Sequence, residues 1–352
     1  MQLSAFLQHL GFAGLLALFS AALVRLMIAR PILDRPNARS AHSVPTPRGG
    51  GVGVVAAFIL GMLVLYGSAQ YARIAEMQFV GVILAAVAIA AVSLVDDVVN
   101  LRFSVKLLAQ GVAALVAVAS GLVVQRLALP WTGVVQFGLL GPVLTVFWIL
   151  ACTNAVNFMD GLDGLVGGAV LVACLALCLV AALSGGWFVY AAALFLAAGL
   201  LGFLPFNVSP ARIFLGDVGS QFLGFILAVL AVASARFDST QGSFLIVPLL
   251  LFALLFDSGF TLLRRAALRE QLSKAHRTHL YQMAQRSGMP TRVVAATHWG
   301  FAIFHGVLAI LFLQMSPWFK PLIVLPALAV QLLWLAVVAW RVRRAGLSWR
   351  AG

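Results

Sequence analysis

The sequence predicts an all-α polytopic transmembrane bundle of about eleven spans, with the N-terminus periplasmic and the C-terminus cytoplasmic. Three observations carry that prediction. Of 352 residues, 63% are hydrophobic and only 9% charged, against a charged share of about 25% in soluble domains. Mean hydropathy is +1.06, and apolar runs of about 18 residues or more, long enough to span a bilayer, recur along the chain. The basic residues gather in alternate loops. A closed β-barrel would instead alternate polar and apolar residues over about ten positions, and no such pattern occurs.

In chain order the candidate spans are 5–29, 51–70, 77–95, 104–124, 138–156, 164–184, 187–205, 218–235, 243–263, 293–314 and 321–340. The first is followed, not preceded, by Arg25 and Arg30 and has no small-residue cleavage site, so it reads as a retained helix. With the N-terminus outside, 19 of the 23 Lys and Arg side chains fall on inner segments, leaving only Arg73, Arg126, Arg236 and Lys320 outside. That is the positive-inside bias. Trp131, Trp187 and Trp318 mark outer loops as interfacial aromatics do. The net charge of +13 therefore reports orientation, and no nucleic-acid partner is expected. Cys152, Cys174 and Cys178 lie in or beside apolar segments, an odd number without loop pairing, which argues against a disulfide framework. The chain reads as one domain, 1–352, holding a large inner loop at 264–292.

Seven of the ten acids, Asp34, Asp96, Asp97, Asp160, Asp163, Asp217 and Glu270, fall at or near inner loops on this map, and Asp257 lies within the ninth span. A charge at the bilayer centre costs roughly 2.5–3.5 kcal/mol even on the gentlest scale. Acids held among bases at one membrane face suit an anionic substrate brought by a divalent cation.

Five stretches concentrate the chemistry. Residues 34–51 form an inner loop rich in Pro and Gly, in which Arg48 could grip phosphate bidentately, followed by a helix N-terminus whose amides favour anions. A positive-inside loop with small packing residues explains the same stretch. Asp96 and Asp97 end the third span, and Lys106 begins the fourth. Adjacent helical residues point about 100° apart, so one carboxylate can face a site while the other caps or orients. Asn154, Asn157, Asp160 and Asp163 recur every three residues and are expected along one side of a helix or tight helical turn. They supply hard oxygen donors of the kind Mg²⁺ takes one or two of, alongside phosphate oxygens; an interhelical polar seam is the blander reading. Asp217, flanked by Gly216 and Gly219, opens the eighth span after Arg212. In the large loop, His276, Arg277 and His279 suit a phosphorylated or sugar ligand, and a zinc site would need a third ligand nearby.

The segments RPNARSAHSVPTPRGGG, the Asp96-Asp97 pair, NAVNFMDGLDGL, FLGDVGS and the His276-Arg277-Thr278-His279 loop occur in the order seen in polyprenyl-phosphate N-acetylhexosamine-1-phosphate transferases. The chain resembles that family, which includes phospho-N-acetylmuramoyl-pentapeptide translocase, over essentially its whole length. The resemblance implies Mg²⁺, with Mn²⁺ as an alternative, held by Asp217 and Asn157. It places Asp96 and Asp97 at the attacking phosphate, Asp160 and Asp163 at the nucleotide sugar, and His276 and His279 on substrate. Arg48, Lys106, Asn154, Arg212 and Arg277 complete the expected substrate-binding set. The implied partners are a UDP-N-acetylhexosamine, undecaprenyl phosphate and membrane lipid. The implied place is the bacterial inner membrane, with the site on the cytoplasmic face; a homodimer is compatible with the sequence. Two departures stand out. The translocase's run of histidines is absent, which makes the O-antigen-initiating branch the better match, and Asn100 stands where some members carry a third aspartate. The rival reading is a polyprenyl-phosphate or ion-coupled transporter using Asp257. It predicts inverted repeats and polar residues at mid-membrane depth, and no such repeat is evident.

Overall fold

The computed structural model describes residues 3–34, 44–68, 74–129, 133–236, 244–272, 274, 276–316 and 318–350. Most of them are helical, in α1 (Leu3–Ala29), α2 (Gly51–Ser68), α3 (Glu76–Val99), α4 (Phe103–Ala119), α5 (Leu140–Met159), α6 (Leu165–Ser184), α7 (Trp187–Asn207), α8 (Gly216–Arg236), α9 (Ile246–Leu250), α10 (Phe252–Ala267), α11 (Leu280–Arg286), α12 (Thr291–Gln314) and α13 (Val324–Arg344). Among the described residues nine helical segments are long and apolar enough to cross a membrane, and α4, at 17 residues, is slightly shorter. The protein is a multi-pass helical membrane protein.

The helices pack as a bundle around α8, whose apolar stretch is 94% buried, whereas those of α1 and the α13 region are 17% and 22% buried and lie at the periphery. α8 packs on α5, α3 and α2, and α7 packs on α6, α1 and α2. Small residues allow the closest approach, since apolar helices in lipid associate through close contact rather than through expulsion of water. At Gly51 a methyl group would lie 2.3 Å from the Gly219 Cα, so α2 and α8 cross with their backbones touching.

Two expectations need correction. The ninth span is not one helix: α9 ends at Leu250, and Leu251 leaves the helical geometry (φ −92°, ψ 8°) before α10 resumes. Pro248 sits just before this break and has no N–H to give to a helical ladder. Two short antiparallel ribbons were also not legible, because three- and four-residue strands carry too little periodicity to register. Ile32–Asp34 (β1) pairs with Thr46–Arg48 (β2), and Arg126–Leu129 (β3) with Gly133–Gln136 (β4). The loop at 35–43, including Arg35, Arg39 and His42, lies outside the described residues.

Candidate active site

The site forms at one end of the bundle, where α3 and α5 end and α4 and α8 begin. α3 stops at Asn100, which adopts the left-handed conformation (φ 54°) that Asn tolerates at helix ends, and its N–H bonds to the Asp96 carbonyl. Its Oδ1 accepts from Arg48 Nη2 at 3.4 Å. The residue that departs from the aspartate pattern therefore acts as a C-cap, and it ties Arg48 of β2 to the acid pair.

Asp96 and Asp97 are both buried and divide the work. Asp96 Oδ2 accepts from Lys106 Nζ at 2.8 Å, and its Oδ1 from the Leu101 N–H at 2.6 Å. Asp97 reaches across to α8, where its two oxygens accept the N–H groups of Asp217 (3.0 Å) and Val218 (3.1 Å). Asp97 thus supplies, from another helix, the cap that the first turn of α8 needs. Lys106 Nζ also donates to Asp217 Oδ2 at 3.0 Å, so one ammonium bridges carboxylates from α3 and α8.

Asn157, on the last turn of α5, donates its Nδ2 to Asp217 Oδ1 (3.0 Å) and to Ser220 Oγ (2.9 Å). With the amide nitrogen committed, the carbonyl oxygen of Asn157 is left as a donor atom for a cation. Asn154 serves the same carboxylate at two removes. Its Nδ2 donates to Gln110 Oε1 (2.7 Å), Gln110 Nε2 to Gln221 Oε1 (3.0 Å), and Gln221 Nε2 to Asp217 Oδ2 (3.2 Å). Sequence reasoning missed Gln110, Gln221 and Ser220, yet a signal existed. Gln110 lies four residues after Lys106, and Gln221 four after Asp217, so each extends its partner's polar face into an apolar helix.

The four-residue acid and amide repeat is helical only through Asn157, because α5 ends at Met159. Asp160 is the C-cap, and Asp163 lies in the turn that follows, where its Oδ2 accepts the Ala211 N–H at 3.1 Å. Asp160 keeps part of its surface open, yet dense surrounding protein, then the charges of Asp217, Asp97 and Asp163, push its carboxyl well above the ordinary carboxylate range. An excess of negative charge converging on one point is what a bound cation would offset.

The loop at 264–292 is a built structure. Buried Arg265 pairs with Glu270 (2.9 Å) and donates to the carbonyls of Gln271, Leu272 and Lys274. At the far end of α11, Arg341 of α13 donates to the Ser287 carbonyl at 3.3 Å. Tyr281 donates its hydroxyl to the Phe158 carbonyl at 3.0 Å, fixing α11 against the end of α5. Gly161 is the residue that admits it, since a methyl there would lie 2.3 Å from the Tyr281 hydroxyl. The rings of His276 and His279 stack, 4.9 Å between centroids. Asp257, which the rival transporter reading would use for a coupling ion, is 1% exposed and engaged by His279, Thr261 and the first N–H groups of α11.

Among the described residues, Arg212 and Arg277 make no ion pair with the acids. Arg212 lies over the Phe206 ring at 5.5 Å, shared with Arg25 at 5.8 Å, and the Arg277 carbonyl accepts from Arg286 at 3.0 Å. Burial, then the charges of His279, Arg265 and Arg264, lower the His276 pKa to about 4. Between pH 6.5 and about 4 the unfolded chain takes up a proton here that the folded loop does not, so stability falls as pH falls through that window. Thermal unfolding in detergent from pH 7 to 5 should therefore destabilise the native protein more than His276→Gln. Parallel loss in both would refute it.

The oxygen donors fit a hard divalent cation. Asp217 with Asn157 supplies the one or two ligands Mg²⁺ takes from protein, and Lys106 already bridges Asp217 and Asp96 as a cation would. Among the described residues no group of three or more His, Cys, Asp or Glu is placed to hold a metal, so the protein's share would be limited to one or two ligands, as Mg²⁺ permits.

Comparison with known proteins identifies the family. Residues 79–235, from α3 through almost all of α8, match the model of glycosyl transferase family 4. The chain is 29% identical to a probable undecaprenyl-phosphate N-acetylglucosaminyl 1-phosphate transferase of Bacillus subtilis, over 87% of each chain. It is 30% identical to the decaprenyl-phosphate N-acetylglucosaminephosphotransferase of Mycobacterium tuberculosis, over 80% of this chain and 76% of that one. A shorter match, 41% identical over 113 residues (30% of this chain and 34% of the other), is to a phospho-N-acetylmuramoyl-pentapeptide-transferase of Chlamydia trachomatis. These matches lead to one statement: the chain belongs to glycosyl transferase family 4, the polyprenyl-phosphate N-acetylhexosamine-1-phosphate transferases.

Proposed function

We propose that the enzyme moves an N-acetylhexosamine 1-phosphate from its UDP-sugar to undecaprenyl phosphate. An acceptor phosphate oxygen attacks the β-phosphorus, the P–O bond to the bridging oxygen breaks, and UMP leaves. The product is a lipid-linked diphosphate sugar that starts a surface polysaccharide, with O-antigen as the favoured pathway. The N-terminus lies in the periplasm, the C-terminus and the site at the cytoplasmic face of the inner membrane, as the positive-inside bias supports. The observation that carries this reading is the Lys106 ammonium held between Asp96 and Asp217 at the meeting of three helix ends.

The roles of the chain's own groups follow from their contacts. A phosphate monoester has a second pKa near 6, so the acceptor is already largely ionised at neutral pH and gains little from a base. Asp96 and Asp97 therefore act first as organisers. Asp96 holds Lys106 in place, and Asp97 fixes the first turn of α8, which presents Asp217. Lys106 offers positive charge to the phosphates, and Asn157 and Asp217 are the groups that would hold Mg²⁺. When bound, that ion supplies charge neutralisation on the diphosphate, which is most of what phosphoryl transfer asks of a protein. Asp160, Asp163, His276 and His279 are the groups assigned to the nucleotide sugar.

The test is UMP release by purified protein in detergent with undecaprenyl phosphate and a panel of UDP-N-acetylhexosamines. Release should require lipid and Mg²⁺, stop with EDTA, and occur with one donor far above the rest. UMP that forms without lipid, or persists in EDTA, would defeat the reading.

A further inference from the structure

Asp257 is the one acid of the ninth span, and nothing in the transfer chemistry above uses it. Its carboxylate, 1% exposed, accepts four donors. Oδ1 takes the Leu280 N–H (2.9 Å), His279 Nδ1 (3.1 Å) and Thr261 Oγ1 (3.2 Å), while Oδ2 takes the Tyr281 N–H (2.9 Å). A buried carboxylate offers only lone pairs, so the Nδ1 it faces carries the proton. In the neutral ring the lone pair then sits on Nε2. The ring itself is held on several sides: stacked on His276 at 4.9 Å, 5.8 Å from Tyr281 and 6.1 Å from Phe158, next to Asn157. Neighbouring Tyr281 is bolted to the Phe158 carbonyl.

We propose that Asp257 is a positioning residue that acts through His279, locking its ring and its Nδ1–H tautomer so that the Nε2 lone pair accepts from a hydroxyl of the nucleotide sugar. The inference rests on the reading of His279 as a substrate contact. A carboxylate is the side chain suited to this, because one oxygen must accept backbone N–H groups while the same group also accepts from the imidazole. Asn can offer only one acceptor oxygen, and its NH₂ would face an N–H.

The experiment is a double-mutant cycle on the full-length protein in detergent, with UDP-GlcNAc and undecaprenyl phosphate as probes and UMP as readout. Asp257→Asn should lower kcat/KM for the UDP-sugar by about 10-fold or more, the scale for losing a group that orients a functional histidine. In a His279→Gln background the same substitution should change kcat/KM by less than about threefold, since coupled residues are non-additive. Equal losses in both backgrounds would mean that Asp257 merely anchors α11, and would overturn the proposal. A second measurement needs no variant: ¹⁵N-histidine NMR of the native protein should find the His279 proton on Nδ1 in one tautomer. A proton on Nε2, or averaging between the two, would overturn it as well. Should no donor yield UMP with native protein, the proposed transfer fails, while the NMR result still decides the contact between Asp257 and His279.

Discussion

Asp217→Ala should lower UMP release by about 10²–10³-fold, the usual cost of removing one preorganised electrostatic group from a site where charge is reorganised. At 1.36 kcal/mol per tenfold, that is roughly 3–4 kcal/mol. The carboxylate is where four helices converge: Lys106 from α4, Asn157 from α5 and Gln221 from α8 all donate to it, and Asp96 of α3 shares the same ammonium. Truncation removes a cation ligand and leaves Lys106 paired with Asp96 alone. The fold should survive, because Asp97 caps α8 through the backbone N–H groups of residues 217 and 218 and not through the Asp217 side chain. The variant should therefore elute from a sizing column like the native protein while UMP release is lost. Activity within tenfold of native would show that Asp217 is not the metal-holding carboxylate.

Gly51→Ala should abolish the folded protein. Its methyl would lie 2.3 Å from Gly219 Cα, 2.4 Å from Gly219 N and 2.9 Å from the Leu215 carbonyl. These are all backbone atoms, so no side chain can swing aside. α2 must back away from α8, which also breaks the bonds from the Gly51 N–H to Leu215 O (2.8 Å) and from the Gly50 N–H to Phe214 O (2.9 Å). Overpacking where relief is available costs typically about 1–3 kcal/mol, and here the obstacle is main chain. Gly14→Ala, which would meet nothing within 4 Å, is the control and should be neutral. Thermal unfolding of both in detergent, followed by tryptophan fluorescence, decides it; similar midpoints would remove the backbone crossing as an explanation for the glycine run.

Much of the bundle was legible because a membrane reduces folding to length and polarity. Long apolar runs between basic loops leave few alternatives, and the positions of Asp96, Asp97, Lys106, Asn157 and Asp217 at helix ends could be read directly. What each side chain would face could not. Adjacent Asp96 and Asp97 look interchangeable in sequence, yet one grips Lys106 and the other caps α8, a division set by where a helix more than a hundred residues later begins. Asp257 invited a transport reading, because depth in a span is visible in sequence and a partner such as the start of α11 is not. The bond from Asn154 Nδ2 to Gln110 is likewise invisible in sequence, because it depends on the rotation of two helices. The break at Leu251 and the two ribbons are too short for any periodicity to mark.

The central burial of α8 has a consequence for how the chain is made. The helices that enclose it most, α5, α3 and α2, precede it in the chain and leave the ribosome earlier. α8 therefore enters the bilayer beside neighbours already in place, and Asp217 meets Asp97, Lys106 and Asn157 as it arrives rather than facing hydrocarbon alone. A carboxylate that would be a liability on an isolated span is delivered into a waiting socket. Reordering the helices by circular permutation, so that α8 precedes α2–α5, would expose that liability at the moment of insertion even if the finished fold were unchanged.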